Sequence, residues 1–302
     1  MVCDEKHKSL DVVNQVDQSC TANMSQHEFD LWSSLLQKRT GMVLPVQRKS
    51  FLVTNLGLRM KELGCRTYQE YYDILSSGMD GELEWKFLID RLTVHETRFF
   101  RHPASLKVVR DHVLERIRNR PETSVHLWSV ACSTGEEAYS LAITVDQALQ
   151  QAGRDAQENY FSVVATDISL PSIKTAREAK FKERQVLNHV SLEWLEKYFD
   201  RLEDGRFQVV EKLRRRVCFT PMNILAIVPE VVGEVDVIYC QNLLIYFDRA
   251  KRFEIVDEMA RYLRPGGLLI LGAGELLGWD HPEMKKLGFS DVLAYKRQVK
   301  RA

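Results

Sequence analysis

Hydrophobic residues recur every three or four positions along the first third of the chain, which is the spacing of amphipathic helices. The same stretch carries helix-boundary signals: Ser25 and Glu28 have the spacing of a capping box, as do Thr67 and Glu70. We therefore predict an all-helical domain over residues 25–92, preceded by a mobile tail over residues 1–24. The apolar faces behind this prediction are Phe29, Trp32, Leu35 and Leu36 in a first helix and Leu52, Leu56, Met60 and Leu63 in a second.

Short apolar runs rich in β-branched residues replace this spacing after Pro121, and amphipathic helices lie between them. Strands that alternate with helices indicate an α/β fold with a mostly parallel sheet and right-handed crossovers. One of these helices is expected to begin at Asp248 and to run to Leu263, where residues 264–267 stop it. The predicted strands are residues 125–131, 161–166, 217–220, 235–240, 268–271 and 292–296.

Three of these strands end in residues that suit a ligand. In an open α/β sheet ligands bind at the carboxyl ends of the strands. Gly135 follows the first strand and would let backbone N–H groups approach a ligand, whereas Asp167 ends the second and could accept hydrogen bonds from ribose hydroxyls. Asn242 follows a later strand. Asp167 could equally cap the next helix, and Asn242 could be a turn residue.

The loop after the first strand argues against a dinucleotide. A pyrophosphate site has three glycines, but this loop has only Gly135, and Glu136 and Glu137 follow it at the helix start. Their negative charge would repel a pyrophosphate, which disfavours a nicotinamide oxidoreductase. A nucleoside with a cationic centre and no phosphate fits better, and S-adenosylmethionine is such a ligand.

Composition narrows the remaining classes. The 302 residues include 42 Lys and Arg and 42 Asp and Glu, so a neutral chain argues against bulk binding to nucleic acid or to an anionic membrane. The six cysteines contain no CxxC pair, so no zinc site and no other metal site is expected. The amino terminus lacks the apolar segment of a signal peptide, and no run reaches the length of a membrane helix. We therefore expect a cytoplasmic protein.

At this point five motifs in order resemble one family. The segment 130–140, VACSTGEEAYS, resembles the signature of the CheR family of chemotaxis-receptor glutamate methyltransferases, and the similarity extends from about Ser25 to Lys296. The other four segments are TRFFR at 97–101, ATDI at 165–168, CQNLLIYF at 240–247 and LRPGG at 263–267.

The resemblance implies a fold and a reaction. It implies an all-α amino-terminal domain, a linker over 93–124, and a Rossmann-like class I methyltransferase domain over 125–302. A small antiparallel β-subdomain is expected near 202–220. The implied cofactor is S-adenosylmethionine, which becomes S-adenosylhomocysteine. The implied acceptors are glutamate carboxylates in the cytoplasmic helical domain of methyl-accepting chemotaxis receptors, and the family favours a monomer.

The resemblance also implies roles for single residues. Arg101 and Tyr246 would be catalytic, although a structural ion pair is the alternative for Arg101. Six basic and no acidic residues lie between Lys38 and Lys61, so we expect substrate contacts there from Arg48, Arg59 and Lys61, with a solvated face as the alternative. The implied cofactor-binding residues are His95, Thr97, Arg101, Gly135, Glu137, Asp167, Asn223, Ile224, Asn242 and Leu243.

The chain also departs from the family pattern. His95 replaces a frequent asparagine, and residues 272–275, GAGE, replace a more usual Gly-His-Ser-Glu. The hairpin near 202–217 is compact, which favours a protein that does not dock on a receptor's carboxyl-terminal pentapeptide. Two other classes stay open: a non-catalytic module that binds the cofactor or scaffolds a chemosensory array, and a nucleic-acid methyltransferase, which the pI near 7.1 disfavours.

Overall fold

The computed structural model describes residues 24–93, 95–119, 124–154 and 161–299. The tail predicted over 1–24 lies outside these residues except for Met24. The chain divides into two compact units: one comprises residues 44–92 together with the chain up to Arg39, and the other comprises residues 40–43 and the chain from Thr93 onward. Across the described residues no helix is long and apolar enough to cross a bilayer.

The first unit is helical, as its apolar spacing predicts. The hydrogen bonds of the Ser25–Glu28 capping box are present: the Glu28 N–H donates to Ser25 Oγ, and the Ser25 N–H donates to the Glu28 carboxylate. Gly64 ends the second helix in the left-handed conformation, with φ +74°. The helices are α1 (Gln26–Thr40), α2 (Lys49–Leu63, after a 3₁₀ turn at Val46–Arg48), α3 (Tyr68–Leu75) and α4 (Gly78–Leu92).

The second unit is α/β. Its helices are α5 (Pro103–Asn119), α6 (Glu136–Gln151), α7 (Leu170–Glu178), α8 (Glu183–Leu187), α9 (Leu192–Tyr198), α10 (Glu211–Arg214), α11 (Pro229–Val232) and α12 (Arg249–Arg261). Its strands are β1 (Val125–Val130), β2 (Phe161–Asp167), β3 (Lys180–Phe181), β4 (Phe199–Arg201), β5 (Phe207–Val209), β6 (Val217–Pro221), β7 (Val235–Cys240), β8 (Leu263–Leu271), β9 (Met284–Lys286) and β10 (Leu293–Arg297).

Seven strands form one sheet in the order β6-β2-β1-β7-β8-β10-β9. The first five are parallel, β10 runs antiparallel to β8, and β9 runs antiparallel to β10. β7 is buried along its whole length, and its one charged residue, Asp236, is paired with Arg116 and Arg264. In this register Val130 pairs with Thr166 on one side and with Cys240 on the other, so the ends of β2, β1 and β7 lie side by side.

The small antiparallel sheet lies elsewhere than predicted. It contains β3, β5 and β4, over residues 180–209, and not residues 202–220. Residues 204 and 205 do form the predicted tight turn, but they join β4 to β5. The apolar run from Val217 pairs in parallel with β2 and is the edge strand of the large sheet. The tight turn was predicted correctly, but the prediction placed the strands of the small sheet too far along the chain.

Two other boundaries differ from expectation. The segment 93–124, predicted as a linker, contains α5, which buries Leu106, Val109 and Val113 in the core of the second unit. α12 ends at Arg261, and β8 already begins at Leu263, so the segment 264–267 lies inside a strand. The pairing of β8 with β7 is irregular at this point, and a bulge is where a sheet tolerates proline and glycine.

Candidate active site

A cavity of about 240 Å³ lies at the carboxyl end of the large sheet, within the second unit. From β1 the chain adds β2 and then β6 on one side of it, and the next strand of this sheet, β7, pairs with β1 on its other side. Such a switch point leaves a crevice outside the strand ends, which is where α/β proteins bind ligands. The three strand ends singled out in the sequence therefore meet at one cavity.

Asp167 is oriented by two backbone groups. Its carboxylate accepts one hydrogen bond from the Ser133 N–H and another from the Ser169 N–H, each 2.8 Å long. The cap of α7 is instead the Ser169 hydroxyl, which accepts from the Ser172 N–H. The carboxylate of Asp167 is thus held at the cavity wall, and the alternative that it merely caps the helix is not what the structure shows.

Gly135 does not line the cavity. Its φ of +100° is in the range that favours glycine, and a Cβ atom there would lie 2.9 Å from Ala176 Cβ on α7. The glycine therefore lets the loop after β1 pack closely against α7. The structure thus gives Gly135 a packing role next to the site, and its contact with the cofactor stays a prediction.

The two glutamates at the start of α6 have different surroundings. Glu136 is buried away from the cavity, where it accepts hydrogen bonds from Thr134 and Gln185. Glu137 lines the cavity, and the Ser129 hydroxyl donates to it at 2.7 Å. Burial raises the pKa of Glu137 to about 8, with Glu275 adding to the rise and Arg101 opposing it. A buried carboxyl with so high a pKa gains most from a cationic ligand.

The segment before α5 forms a second wall. Thr97 and Arg101, both predicted cofactor residues, line the cavity, and Arg101 Nη1 donates to the Glu96 carbonyl at 2.6 Å. His95 also lies there, but its two ring nitrogens are each 3.0 Å from a hydroxyl oxygen, one of Thr93 and one of Ser172. The ring of His95 is therefore held by protein groups and contributes mainly its face to the wall.

The turns after β6 and β7 complete the cavity. Asn242 adopts φ +61°, and its Oδ1 atom lies 3.0 Å from His102 Nε2. A left-handed conformation in a residue other than glycine is common at ligand sites and is stabilised by the surrounding contacts. The predicted residues of these turns that line the cavity are Asn223, Ile224, Asn242, Leu243 and Tyr246.

Sequence reasoning missed one carboxylate next to this turn. Glu275 follows β8, is 3% exposed, and accepts the N–H groups of Asn242 and Leu244. In the sequence it appeared only as the last residue of a divergent Gly-Ala-Gly-Glu segment. A glutamate four residues after an apolar strand was the available signal, because a carboxylate buried there needs donors nearby.

The predicted substrate residues lie in the helical unit, on or just before α2. Arg48 and Lys61 are exposed. Arg59 is different: its Nε and Nη2 atoms donate to Glu84 at 2.8 and 2.5 Å, and its Nη1 atom donates to Glu62. Its side chain is only 17% exposed. A bidentate pair inside the unit favours a structural role for Arg59, against the prediction of substrate contact.

This fold and this cavity define an α/β nucleoside-binding domain whose site favours a cation. Two family models match the chain: "CheR methyltransferase, SAM binding domain" over residues 95–293 and "CheR methyltransferase, all-alpha domain" over residues 27–93. The chain therefore belongs to the CheR methyltransferase family, and its second unit carries the domain that binds S-adenosylmethionine. Among the described residues no group of His, Cys, Asp and Glu side chains could hold a metal ion.

Two chemotaxis protein methyltransferases are similar to this chain over most of its length. The chemotaxis protein methyltransferase of Escherichia coli is 32% identical over 83% of this chain and 85% of its own length. The chemotaxis protein methyltransferase Cher2 of Pseudomonas putida is 29% identical over 85% of this chain and 94% of its own. Among solved structures, the N-methyltransferase NodS of Bradyrhizobium japonicum with S-adenosyl-L-homocysteine is 12% identical, with a TM-score of 0.37 over 76% of this chain and 97% of that one.

The residues at the cavity fit this cofactor. Asp167 presents a fixed carboxylate that could accept hydrogen bonds from ribose hydroxyls, and Glu137 is a partly buried carboxyl for which no ion pair is seen among the described residues. An ammonium group beside Glu137 would form such a pair. Apolar side chains suited to an adenine ring line the same cavity, namely Ile168, Met222, Ile224 and Leu243.

Proposed function

We propose that this protein transfers the methyl group of S-adenosylmethionine to glutamate carboxylates of methyl-accepting chemoreceptors in the cytoplasm. The observation that carries the proposal is the division of charge around one cavity: Glu137 and Asp167 suit the cofactor, and Arg101 suits an incoming carboxylate. The chemotaxis protein methyltransferases that resemble the chain over most of its length support the choice of acceptor.

The chain's own residues have simple tasks in this reaction. The bound cofactor supplies a methyl group on a positively charged sulfur, which an oxygen nucleophile can attack. Asp167 binds the ribose and Glu137 binds the ammonium, which together fix the position of the methyl group. A glutamate carboxylate has a pKa near ~4.3, so it is already ionised at neutral pH and needs no general base.

Arg101 is proposed to orient the acceptor. It lines the cavity, and a guanidinium can hold a carboxylate through paired hydrogen bonds. Tyr246 lines the same cavity and is proposed to fix the donor geometry. Arg98 also lines the cavity and is exposed, so a second cation is available to an acidic substrate. Together these groups favour an anionic acceptor and keep one of its oxygens near the methyl group.

Receptor recognition is proposed to belong to the helical unit. The stretch from Lys38 to Lys61 has no acidic residue, and its exposed cations Arg48 and Lys61 suit a glutamate-rich helical receptor. Arg59 is left out of this surface because Glu84 and Glu62 hold it. The compact turn between β4 and β5 is the basis for proposing that docking does not need a carboxyl-terminal receptor pentapeptide. We also propose that the protein acts as a monomer.

The proposal is tested by methylating purified cytoplasmic receptor fragments with S-adenosylmethionine labelled in its methyl group. We expect label that alkali releases as methanol, which is diagnostic of a carboxyl methyl ester. Arg101→Ala should lower kcat/KM by at least about a hundredfold, since a charged hydrogen-bond partner of the reacting group is lost. The matched control is Arg110→Ala, an exposed arginine on α5 that pairs with Asp111.

Three results would count against the proposal. Alkali-stable label would indicate methylation of nitrogen or of another oxygen. Normal turnover by Arg101→Ala would remove that residue from the mechanism. Cofactor binding without transfer to any receptor fragment would favour the non-catalytic module.

A further inference from the structure

The turn after β7 is held by a carboxylate from a distant part of the chain. Asn242 is left-handed and Leu243 is right-handed, with φ −100° and ψ −46°. Successive residues of this kind point their N–H groups to one side and form a small anion-binding concavity. The Glu275 carboxylate occupies it: Oε1 accepts from the Asn242 N–H at 2.5 Å, and Oε2 accepts from the Leu244 N–H at 3.1 Å.

The surroundings of Glu275 are shaped for this contact. A Cβ atom on Gly272 would lie 2.0 Å from Glu275 Oε1, so only glycine at that position leaves room for the carboxylate. Arg252 joins the same two segments, because its Nη1 atom donates to the Glu275 carbonyl and its Nε atom donates to the Phe247 carbonyl, both at 2.9 Å. Both ends of the turn are thus attached to the segment that follows β8.

The residues that this turn presents belong to the cavity. Asn242, Leu243 and Tyr246 all line it, and the side chain of Asn242 reaches His102 on the facing wall. Asn242 is left-handed, a conformation that asparagine adopts more readily than most residues with a Cβ atom but still less readily than the right-handed one. If the Glu275 carboxylate were lost, the N–H groups of Asn242 and Leu244 would lose their acceptor, and the turn would relax toward right-handed backbone angles.

We propose that Glu275 is a positioning residue, which holds the Asn242–Tyr246 turn in the conformation that binds S-adenosylmethionine. The proposal deepens the proposed function, and it rests on that function only for the measurements of methyl transfer. Cofactor binding alone suffices to test it. Glu275 also places a negative charge near Glu137, which favours a positively charged ligand in the cavity.

The test uses two substitutions that disturb the same contact from opposite sides. Glu275→Gln replaces one oxygen by an NH₂ group, which cannot accept from a backbone N–H. Gly272→Ala keeps the carboxylate but displaces it. Each should weaken binding of S-adenosylmethionine and of S-adenosylhomocysteine by about tenfold or more, because charged hydrogen bonds are lost. Titration calorimetry measures this, with Glu254→Gln as a surface control on α12.

The double variant separates positioning from general destabilisation. If both substitutions act on one contact, Glu275→Gln combined with Gly272→Ala should bind no more weakly than the weaker single variant. Additive losses, or a folded Glu275→Gln protein with normal affinity, would overturn the proposal. If Glu275→Gln does not fold, Gly272→Ala decides alone, and normal cofactor affinity in that variant refutes the proposal.

Receptor methylation is measured in parallel. Absence of receptor methylation in the wild type would refute the proposed function and leave this inference standing.

Discussion

Glu137 should make cofactor binding depend on pH in a specific direction. Its pKa is raised to about 8 by burial, by Glu275 and by Asp167, with Ser129 and Arg101 opposing the rise. Below pH 8 the carboxyl of the ligand-free protein is therefore mostly protonated, whereas pairing with an ammonium requires the ionised form. Binding must release a proton, and affinity should rise with pH toward about 8.

The size of the effect follows from the pKa. With a value of about 8, roughly one Glu137 in eleven is ionised at pH 7 and about one in a hundred at pH 6. Affinity should therefore fall about tenfold between pH 7 and pH 6, which is about 1.4 kcal/mol. Between pH 6 and pH 7 the ammonium of the ligand stays mostly charged, because an α-amino group titrates near ~7.7 to 8.

The assay is calorimetric titration of S-adenosylmethionine at pH 6, 6.5, 7 and 7.5, in two buffers with different ionisation enthalpies. The difference between the buffers should correspond to release of about 0.9 proton at pH 7. Glu137→Gln should bind more weakly and show neither the slope nor the proton release. An affinity that does not change between pH 6 and 7 in the wild type, or the same slope in Glu137→Gln, would refute the reasoning.

The same carboxyl should make the ligand-free protein less stable as pH rises, whereas cofactor affinity increases. A carboxyl whose pKa is higher in the folded state stabilises the protein at low pH, and that contribution disappears as pH rises from about 4.5 through 8. At pH 7 the loss is about 3 kcal/mol for the ligand-free protein. Glu137→Gln should remove most of this dependence, which urea unfolding at pH 5 and pH 7 will measure.

Three further substitutions test the packing that supports the site. Arg59→Met leaves Glu84 without its guanidinium partner and should cost about 3 kcal/mol of unfolding free energy, much of it recovered by adding Glu84→Leu; no recovery would mean that the loss does not come from the unpaired Glu84 charge. Gly135→Ala should cost about 2 kcal/mol in urea unfolding because of its positive φ and its contact with α7, and an unchanged midpoint would argue against that contact. Asp236 is fully buried and pairs with Arg116 of α5 and Arg264 of β8. Asp236→Asn removes this charge, so unfolding should require about 3 kcal/mol less while cofactor affinity stays the same. Altered affinity would mean that this end of β7 is coupled to the cavity.

The sequence by itself determined the local structure and the main residues of the cavity. Capping boxes such as Ser25 with Glu28 involve neighbours in the chain, so their spacing is enough to predict them. Glu137, Asp167 and Asn242 were also predictable. They follow strands, and the carboxyl ends of parallel strands meet at one edge whatever the details of packing.

Only the tertiary structure decided which partners these residues meet. Arg59 could not be separated from a substrate-binding cation until Glu84, 25 residues away, was placed beside it. The close packing of Gly135 against Ala176 of α7, 41 residues away, was likewise not visible in the sequence. The contact between Glu275 and Asn242 joins residues 33 apart, and it exists because β7 and β8 are neighbours in the sheet. Hydrogen bonds between distant segments depend on strand order and register, and no local spacing encodes them.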